Sequence, residues 1–215
     1  MIEIKNISKT YNGKVKAVNK LNMTVEDGEI IGFIGPNGAG KTTTLKMMTG
    51  ILNPDEGEIL LNGINIQHDP IEAKRQFGFV PDNPDVFLRL KGIEYLNFMA
   101  DIYDVNDDLR RQRIAHTADV FQMTSALNDT ILSYSHGMRQ KIVMMGVLVH
   151  SPNIWILDEP LTGLDPQSAY ALKEMMRDHV RLNKTVFFST HVLEVAEKLC
   201  SKVAIINKGE LFYFG

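Results

Sequence analysis

Apolar and polar residues alternate through the first thirty positions of the chain, and this period of two predicts β-strands. The run Ala17–Val25 shows the pattern clearly and leads into a turn at Glu26–Gly28. Further along, Asn62-Gly63 separates two short apolar runs, which is a strong hairpin signal. We therefore expect these strands to form an antiparallel sheet at one edge of the molecule.

Continuous short apolar runs predict a different kind of strand, one that is covered on both faces within a parallel sheet. Four such runs are present: Ile30–Ile34, Phe77–Val80, Ile154–Leu157 and Thr185–Ser189. A helix is predicted between the last two, from roughly Pro166 to Leu182. A final hairpin is predicted at Val203–Phe214, with its turn at Lys208-Gly209.

Between Pro81 and about Pro152 the apolar residues recur at helical spacing instead, as in Tyr95–Ala100 and Ala115–Phe121. Strands that are interrupted by helices and then resume predict an α/β core with a helical segment inserted into its middle. We expect one domain over residues 1–215. Residues 1–82 and 152–215 should form its core, and residues 83–151 its helical part.

The composition is that of an ordinary soluble globular protein, with 44% hydrophobic and 23% charged residues. A net charge of −3 argues against a general basic field for nucleic acid. No apolar run approaches the roughly 18 residues that cross a membrane, and the chain opens directly on a strand, so we expect a cytosolic protein without a secretory signal. The single cysteine, Cys200, excludes an internal disulfide. Because the chain stops directly after a strand at Gly215, we expect further residues beyond it.

The most informative motif has the spacing G-x-x-x-x-G-K-[ST], and it lies between the strand Ile30–Ile34 and a predicted helix at Thr43–Thr49. This context predicts a phosphate-binding loop, because glycines let backbone N–H groups surround phosphates at the positive end of a helix. We expect Lys41 to reach the β- and γ-phosphates and Thr42 to offer its hydroxyl to Mg²⁺. A glycine turn that binds nothing is disfavoured by the flanking strand and helix. The predicted nucleotide-binding residues of the loop are Gly35, Pro36, Asn37, Gly38, Ala39, Gly40, Lys41, Thr42 and Thr43.

Two carboxylates, Asp158 and Glu159, follow the apolar strand Ile154–Leu157. Open α/β sheets bind their ligands at the carboxyl ends of the strands. Asp158 is therefore placed to hold Mg²⁺, and Glu159 can take the proton of an attacking water. Solvated acids at an ordinary strand exit are the alternative, and the phosphate loop makes that alternative less favourable.

A third segment, Leu132–Lys141, places Ser135 before a nearly all-apolar helix. Ser135 has the features of a helix N-cap, and its hydroxyl and the nearby N–H groups could instead face an anion. Taken by itself, the segment favours plain capping over anion binding.

In their order, these pieces resemble the ATP-binding subunit of ABC transporters over essentially the whole chain. The family signature is Leu-Ser-Gly-Gly-Gln, and here the signature segment is Tyr134–Met138, in which His136 replaces the first glycine and Met138 the glutamine. The resemblance implies that Tyr11 stacks on adenine, that Asp165 lies in a loop crossing between subunits, and that His191 contacts the γ-phosphate. It also implies that the signature residues Ser135, His136, Gly137 and Met138 face the ATP of a partner subunit.

Asp82 departs from the family pattern, which usually has glutamine after the proline at that strand exit. An acidic residue there, together with a methionine in the signature, resembles the branch that serves exporters of drugs and bacteriocins. We expect Asp82 to act mainly in coupling to the permease, and to reach Mg²⁺ only weakly, through a water.

The resemblance implies a P-loop NTPase core, a Mg²⁺-dependent ATPase activity, and ATP held between the two subunits of a homodimer or heterodimer. Its partner would be a transmembrane permease subunit that holds the protein at the inner face of the cell membrane, and no nucleic acid is expected. Half of a tandem-cassette translation factor remains an alternative. A DNA-maintenance ATPase is less favoured, because only about ninety residues without sustained heptads separate Lys41 from Ser135.

Overall fold

The computed structural model describes residues 1–13 and 15–215, and the strands within them form two separate sheets. The strands are β1 (Ile2–Tyr11), β2 (Val15–Val25), β3 (Ile30–Ile34), β4 (Glu56–Leu61), β5 (Ile64–Asn65), β6 (Phe77–Val80), β7 (Ile154–Leu157), β8 (Thr185–Thr190), β9 (Lys202–Asn207) and β10 (Glu210–Phe214). The α-helices are α1 (Lys41–Met48), α2 (Pro70–Gln76), α3 (Gly92–Ile102), α4 (Asp107–Val120), α5 (His136–Leu148), α6 (Pro166–Arg181) and α7 (Leu193–Leu199).

The chain divides into two compact units. The first contains Met1–Phe79, Asn153–Glu159 and Met176–Gly215, and the second contains Val80–Pro152 and Pro160–Met175. No helix among the described residues is both long enough and apolar enough to cross a membrane.

The N-terminal strands pair antiparallel, in the order β2-β1-β4-β5. They form an antiparallel sheet of their own, as the sequence predicts. The alternation of the strands gives this sheet one apolar face. From that face Ile2, Ile4 and Ile59 join the same buried core as Ile31 of β3 and Leu45 of α1.

The second sheet has the order β10-β9-β3-β8-β7-β6. Strand β3 pairs parallel with both β8 and β9, and β7 pairs parallel with β8, while β10 closes the edge antiparallel to β9. The parallel strands β3, β7 and β8 are buried throughout, as is expected of strands that are covered on both faces. Their carboxyl ends consequently meet at one edge of the sheet.

Helices dominate the second unit, and α5 lies at the centre of its packing. The apolar side chains of α5 are buried from Ile142 to Val147. Gly146 lets α3 approach, because a Cβ there would lie 2.7 Å from the Tyr95 ring. The Tyr134 hydroxyl donates a 2.6 Å hydrogen bond to the carbonyl of Ala126, which fixes the chain just before α5 begins.

Candidate nucleotide-binding site

The carboxyl ends of β3, β7 and β8 each continue into residues that the sequence marked as functional. The loop of residues 35–40 follows β3, Asp158 and Glu159 follow β7, and His191 follows β8. A 3.4 Å hydrogen bond from the Gly35 N–H to the Thr190 carbonyl links the loop after β3 to the end of β8. The parallel register therefore gathers residues that are up to 156 positions apart in the sequence, from Gly35 to His191.

The glycines of the loop are required by close backbone approaches. A Cβ at Gly35 would lie 2.4 Å from the Ile206 carbonyl oxygen, and one at Gly40 would lie 2.5 Å from that of Ala17. Gly40 also takes φ 110° as the residue that begins α1, a conformation that disfavours other residues. Pro36, Asn37 and Gly38 are exposed at the crest of the loop, whereas Ala39 is buried below it. This shape leaves the loop amides and the start of α1 accessible to an anion.

Lys41 lies buried at the first position of α1, with its ammonium group turned back under the loop. Its Nζ donates to the carbonyl of Gly35 at 2.7 Å and to that of Pro36 at 3.4 Å. The same Nζ is 3.4 Å from Oε1 of Glu159. Thr42 is exposed in the first turn of α1, and Thr43 is half-buried beside it.

Glu159 connects the lysine to the histidine. Its Oε1 faces Lys41, and its Oε2 lies 3.0 Å from Nδ1 of His191. The backbone of Glu159 is left-handed, with φ 48°, a conformation that costs about 1–3 kcal/mol for a residue other than glycine. The His191 side chain remains 53% exposed. The three side chains thus present a cation, a carboxylate and an imidazole at one point of the sheet edge.

Ser189 is a functional candidate that the sequence analysis missed. Its buried hydroxyl donates to Oδ1 of Asp158 at 2.5 Å and accepts a 2.9 Å hydrogen bond from the backbone N–H of Glu159. One hydroxyl on β8 therefore holds both carboxylate residues at the exit of β7. The available signal was a polar residue that follows the Phe187-Phe188 pair in a strand predicted to be buried on both faces.

The oxygen donors near the loop fit Mg²⁺ better than a softer metal. Asp158 is only 1% exposed and supplies a carboxylate, and Thr42 supplies a hydroxyl in the first turn of α1. Among the described residues, no group of three or more His, Cys, Asp and Glu side chains is arranged to hold a metal ion. Mg²⁺ needs no such cage, because it binds through one or two protein oxygens, substrate phosphates and retained waters.

Tyr11 ends β1 in the first unit, and 40% of it is exposed. Asp82 lies two residues after the end of β6 and belongs to the second unit, where its side chain is exposed.

The signature segment lies in the second unit and begins α5 as predicted. Ser135 is the N-cap, and its hydroxyl accepts a 3.3 Å hydrogen bond from the Met138 N–H. The exposed His136 ring lies against Gly163, where an added Cβ would be 2.7 Å from the ring carbon Cδ2. Gly137 also approaches Gly163, since a Cβ at Gly137 would be 2.8 Å from its carbonyl oxygen. Met138 is half-buried in the first turn.

Asp165 follows Gly163 and caps the start of α6. Its carboxylate accepts hydrogen bonds from the Ser168 N–H at 2.9 Å and from the Ser168 hydroxyl at 2.7 Å. Lys141 of α5 forms an ion pair with it at 2.9 Å. The Ser168 hydroxyl and then the Lys141 ammonium hold the pKa of the Asp165 carboxyl well below its ordinary value. The signature helix and the loop of residues 160–165 are thus joined at two places within the second unit.

Comparison with known proteins agrees with this architecture. Residues 18–162 match the family model described as "ABC transporter". The chain is 35% identical to the ABC transporter ATP-binding protein NatA of Bacillus subtilis, over 100% of this chain and 89% of NatA. It is also 35% identical to the Nod factor export ATP-binding protein I of Burkholderia orbicola, over 97% of this chain and 68% of that protein.

A solved structure, described as an ATP binding subunit of an ABC transporter, superimposes on the whole chain with a TM-score of 0.96 and 30% identity, covering 89% of that structure. The matched family, the relatives and the shared fold agree with one another. The chain therefore belongs to the ABC transporter family, among its ATP-binding proteins.

Proposed function

We propose that this protein is the Mg²⁺-dependent ATPase subunit that drives a membrane exporter, and that it works as a dimer with ATP between its subunits. The observation that carries the proposal is the Glu159 carboxylate, which lies between the Lys41 ammonium and the His191 imidazole at the end of β7. A base, a cation and a hydrogen-bonding imidazole at one point are the groups that phosphoryl transfer to water requires.

Each group has a separate task in this proposal. The loop amides and Lys41 hold the β- and γ-phosphates, and Lys41 exchanges its carbonyl partners for phosphate oxygens. Glu159 accepts the proton of the attacking water, while His191 orients the carboxylate and contacts the γ-phosphate. Tyr11 stacks on the adenine ring.

Mg²⁺ would be held by Thr42 and Asp158, with Asp82 as a weak candidate through a water. When bound, the ion neutralises charge on the phosphates. The Ser189 hydroxyl holds the Asp158 carboxylate in place through its hydrogen bond.

The dimer follows from the location of the signature segment. Ser135 begins the 13-residue helix α5, and a helix start of this kind favours an anion. Ser135, His136, Gly137 and Met138 would therefore face the ATP bound to a second subunit, in a homodimer or a heterodimer, with Asp165 in the loop between the subunits. ATP then stabilises the closed dimer, and hydrolysis releases it.

The partner that receives this movement would be a transmembrane permease, which would hold the protein at the cytoplasmic face of the membrane. The segment Asp82–Leu90 is the proposed contact, and its Phe87 side chain is 50% exposed. Export is favoured over import by two features, the acidic Asp82 and the 35% identity to a protein named for Nod factor export.

The test is Glu159→Gln, which keeps the shape of the side chain and removes the base. We expect steady-state ATP turnover to fall by about two to four orders of magnitude, while ATP affinity stays within a few-fold of the parent. Glu197→Gln, an exposed change on α7, is the matched control and should retain parental turnover. Equal hydrolysis by Glu159→Gln and the parent would remove Glu159 from the mechanism.

A further inference from the structure

Two stretches of the second unit that are distant in sequence lie side by side. The Ile131 N–H donates to the Leu90 carbonyl and the Leu132 N–H to the Leu88 carbonyl, both at 2.9 Å. A β-bridge between Lys91 and Thr130 continues the pairing. The segment after β6 is thus bonded directly to the turn that leads into the Ser135 cap.

Arg139 of α5 contacts both of the paired stretches. Its Nη2 donates to the Leu132 carbonyl at 2.8 Å and its Nε to the Ile131 carbonyl at 3.3 Å. Its Nη1 forms an ion pair with Oδ1 of Asp85 at 2.7 Å. The guanidinium therefore holds the turn before Ser135 on one side and the segment after β6 on the other.

This geometry requires an arginine. Three of its nitrogens bind three oxygens on two different segments, and only the rigid planar fork of a guanidinium presents donors in such fixed directions. The lysine ammonium is a single point and cannot span the same three acceptors. The side chain also reaches back toward the start of its helix, as the direction of helical side chains favours.

The segment that Arg139 contacts through Asp85 is strained at Phe87. Phe87 is a non-glycine residue with φ 49°, and its ring lies 5.3 Å from the Phe98 ring and 5.6 Å from the Tyr95 ring. Strain of this kind persists where neighbouring contacts impose it, and it is concentrated in segments that switch. A partner that displaces Phe87 would therefore move a segment already tied to the turn before Ser135.

We propose that Arg139 is a positioning residue that transmits the position of the Asp82–Leu90 segment to Ser135. The proposal rests on the proposed function, in which this segment contacts the permease and Ser135 completes the ATP site of a second subunit. The paired backbone sets the register of the two segments, and the Asp85–Arg139 ion pair makes them move together. Neither residue contacts nucleotide in this arrangement.

The test compares Arg139→Met, Arg139→Lys and Asp85→Asn in the isolated full chain, with Arg111→Met as a matched control. Arg111 forms an exposed ion pair with Asp108 on α4 and should be silent. We expect Arg139→Met to lower kcat about tenfold while KM for ATP and the number of ATP sites per chain stay parental. Arg139→Lys and Asp85→Asn should lie between Arg139→Met and the parent. Hydrogen exchange at the Ile131 and Leu132 amides should rise in the order of the kcat losses.

A merely structural role would instead lower the number of ATP sites or the melting temperature in step with kcat, and that result overturns the proposal. So does a kcat within twofold of the parent in Arg139→Met. Ser135→Arg distinguishes failure of the Arg139 proposal from failure of the proposed function. Loss in Ser135→Arg without loss in Arg139→Met overturns the relay alone, and no loss in either overturns the proposed function with it.

Discussion

At the scale of single residues, the candidate site depends on a glutamate in an unfavourable backbone conformation. Glu159 directly follows Asp158 and has a left-handed backbone, with φ 48°. Its carboxylate lies between Lys41 and His191. The Ser189 hydroxyl bonds the Glu159 N–H and so helps to hold that conformation. A motif can predict that Glu159 is a base, but it carries no information on which distant residue fixes its backbone.

Ser189→Ala removes the hydroxyl that joins the two carboxylate residues. We expect the free energy of unfolding to fall by about 1–3 kcal/mol, because a buried carboxylate and an N–H each lose a partner. ATP turnover should fall about tenfold through the displaced Glu159 and Asp158. Urea unfolding and steady-state ATPase measure the two effects, with the exposed Ser125→Ala as control. Parental turnover in a stable Ser189→Ala variant would contradict a positioning role.

Tyr11→Ala tests adenine stacking. The contact should contribute on the order of 1–3 kcal/mol, by analogy with base stacking on aromatic side chains. ATP affinity should weaken accordingly, while cleavage persists at high ATP concentration. Because stacking does not read base edges, GTP should bind the parent comparably. Calorimetric titration of Tyr11→Ala beside Tyr213→Ala, another exposed tyrosine, decides the point, and unchanged affinity in Tyr11→Ala would exclude the stacking role.

At the scale of elements, α6 and β7 meet through a buried aromatic pair. The ring centroids of Trp155 and His179 are 5.6 Å apart, and both side chains are buried. Burial, and then the charge of Lys184, lowers the pKa of His179 to about 4, while a hydrogen bond with the Asn153 backbone opposes the shift. The sequence predicted both elements from their apolar patterns, but it could not predict a neutral buried histidine. That property depends on burial against residues such as Trp155, which is distant along the chain, and on the charge of Lys184.

This histidine makes stability depend on pH with a definite sign. Between the ordinary histidine pKa of 6.5 and the folded value of about 4, the unfolded chain binds the proton and the folded chain does not. His179 should therefore lower the free energy of unfolding by about 2 kcal/mol between pH 7 and pH 5. Urea titrations of the parent and His179→Gln, followed by the fluorescence of the single tryptophan, measure the difference. Equal pH dependence in both proteins would rule out this role for His179.

At the scale of the whole molecule, the sequence predicts features that depend on neighbouring residues better than contacts between residues that are far apart along the chain. Ser135 was predicted to cap the start of a helix, and the structure confirms this, because capping depends on neighbouring residues only. The antiparallel N-terminal sheet was also predicted, but alternation identifies strands without naming their partners, so the strand order β2-β1-β4-β5 was not. The Asp85–Arg139 and Ser189–Asp158 contacts were missed for the same reason, since each joins residues that are far apart along the chain.

The central claim, in its homodimer form, is that ATP joins two copies of this chain through Ser135. The most direct measurement is the mass of the Glu159→Gln protein in saturating ATP and Mg²⁺, determined by light scattering during size-exclusion chromatography. We predict twice the 24.2 kDa of the single chain, and a return to 24.2 kDa when ADP replaces ATP or when Ser135→Arg is added to the same chain. A Glu159→Gln protein that binds ATP stoichiometrically and keeps the monomer mass would contradict the claim.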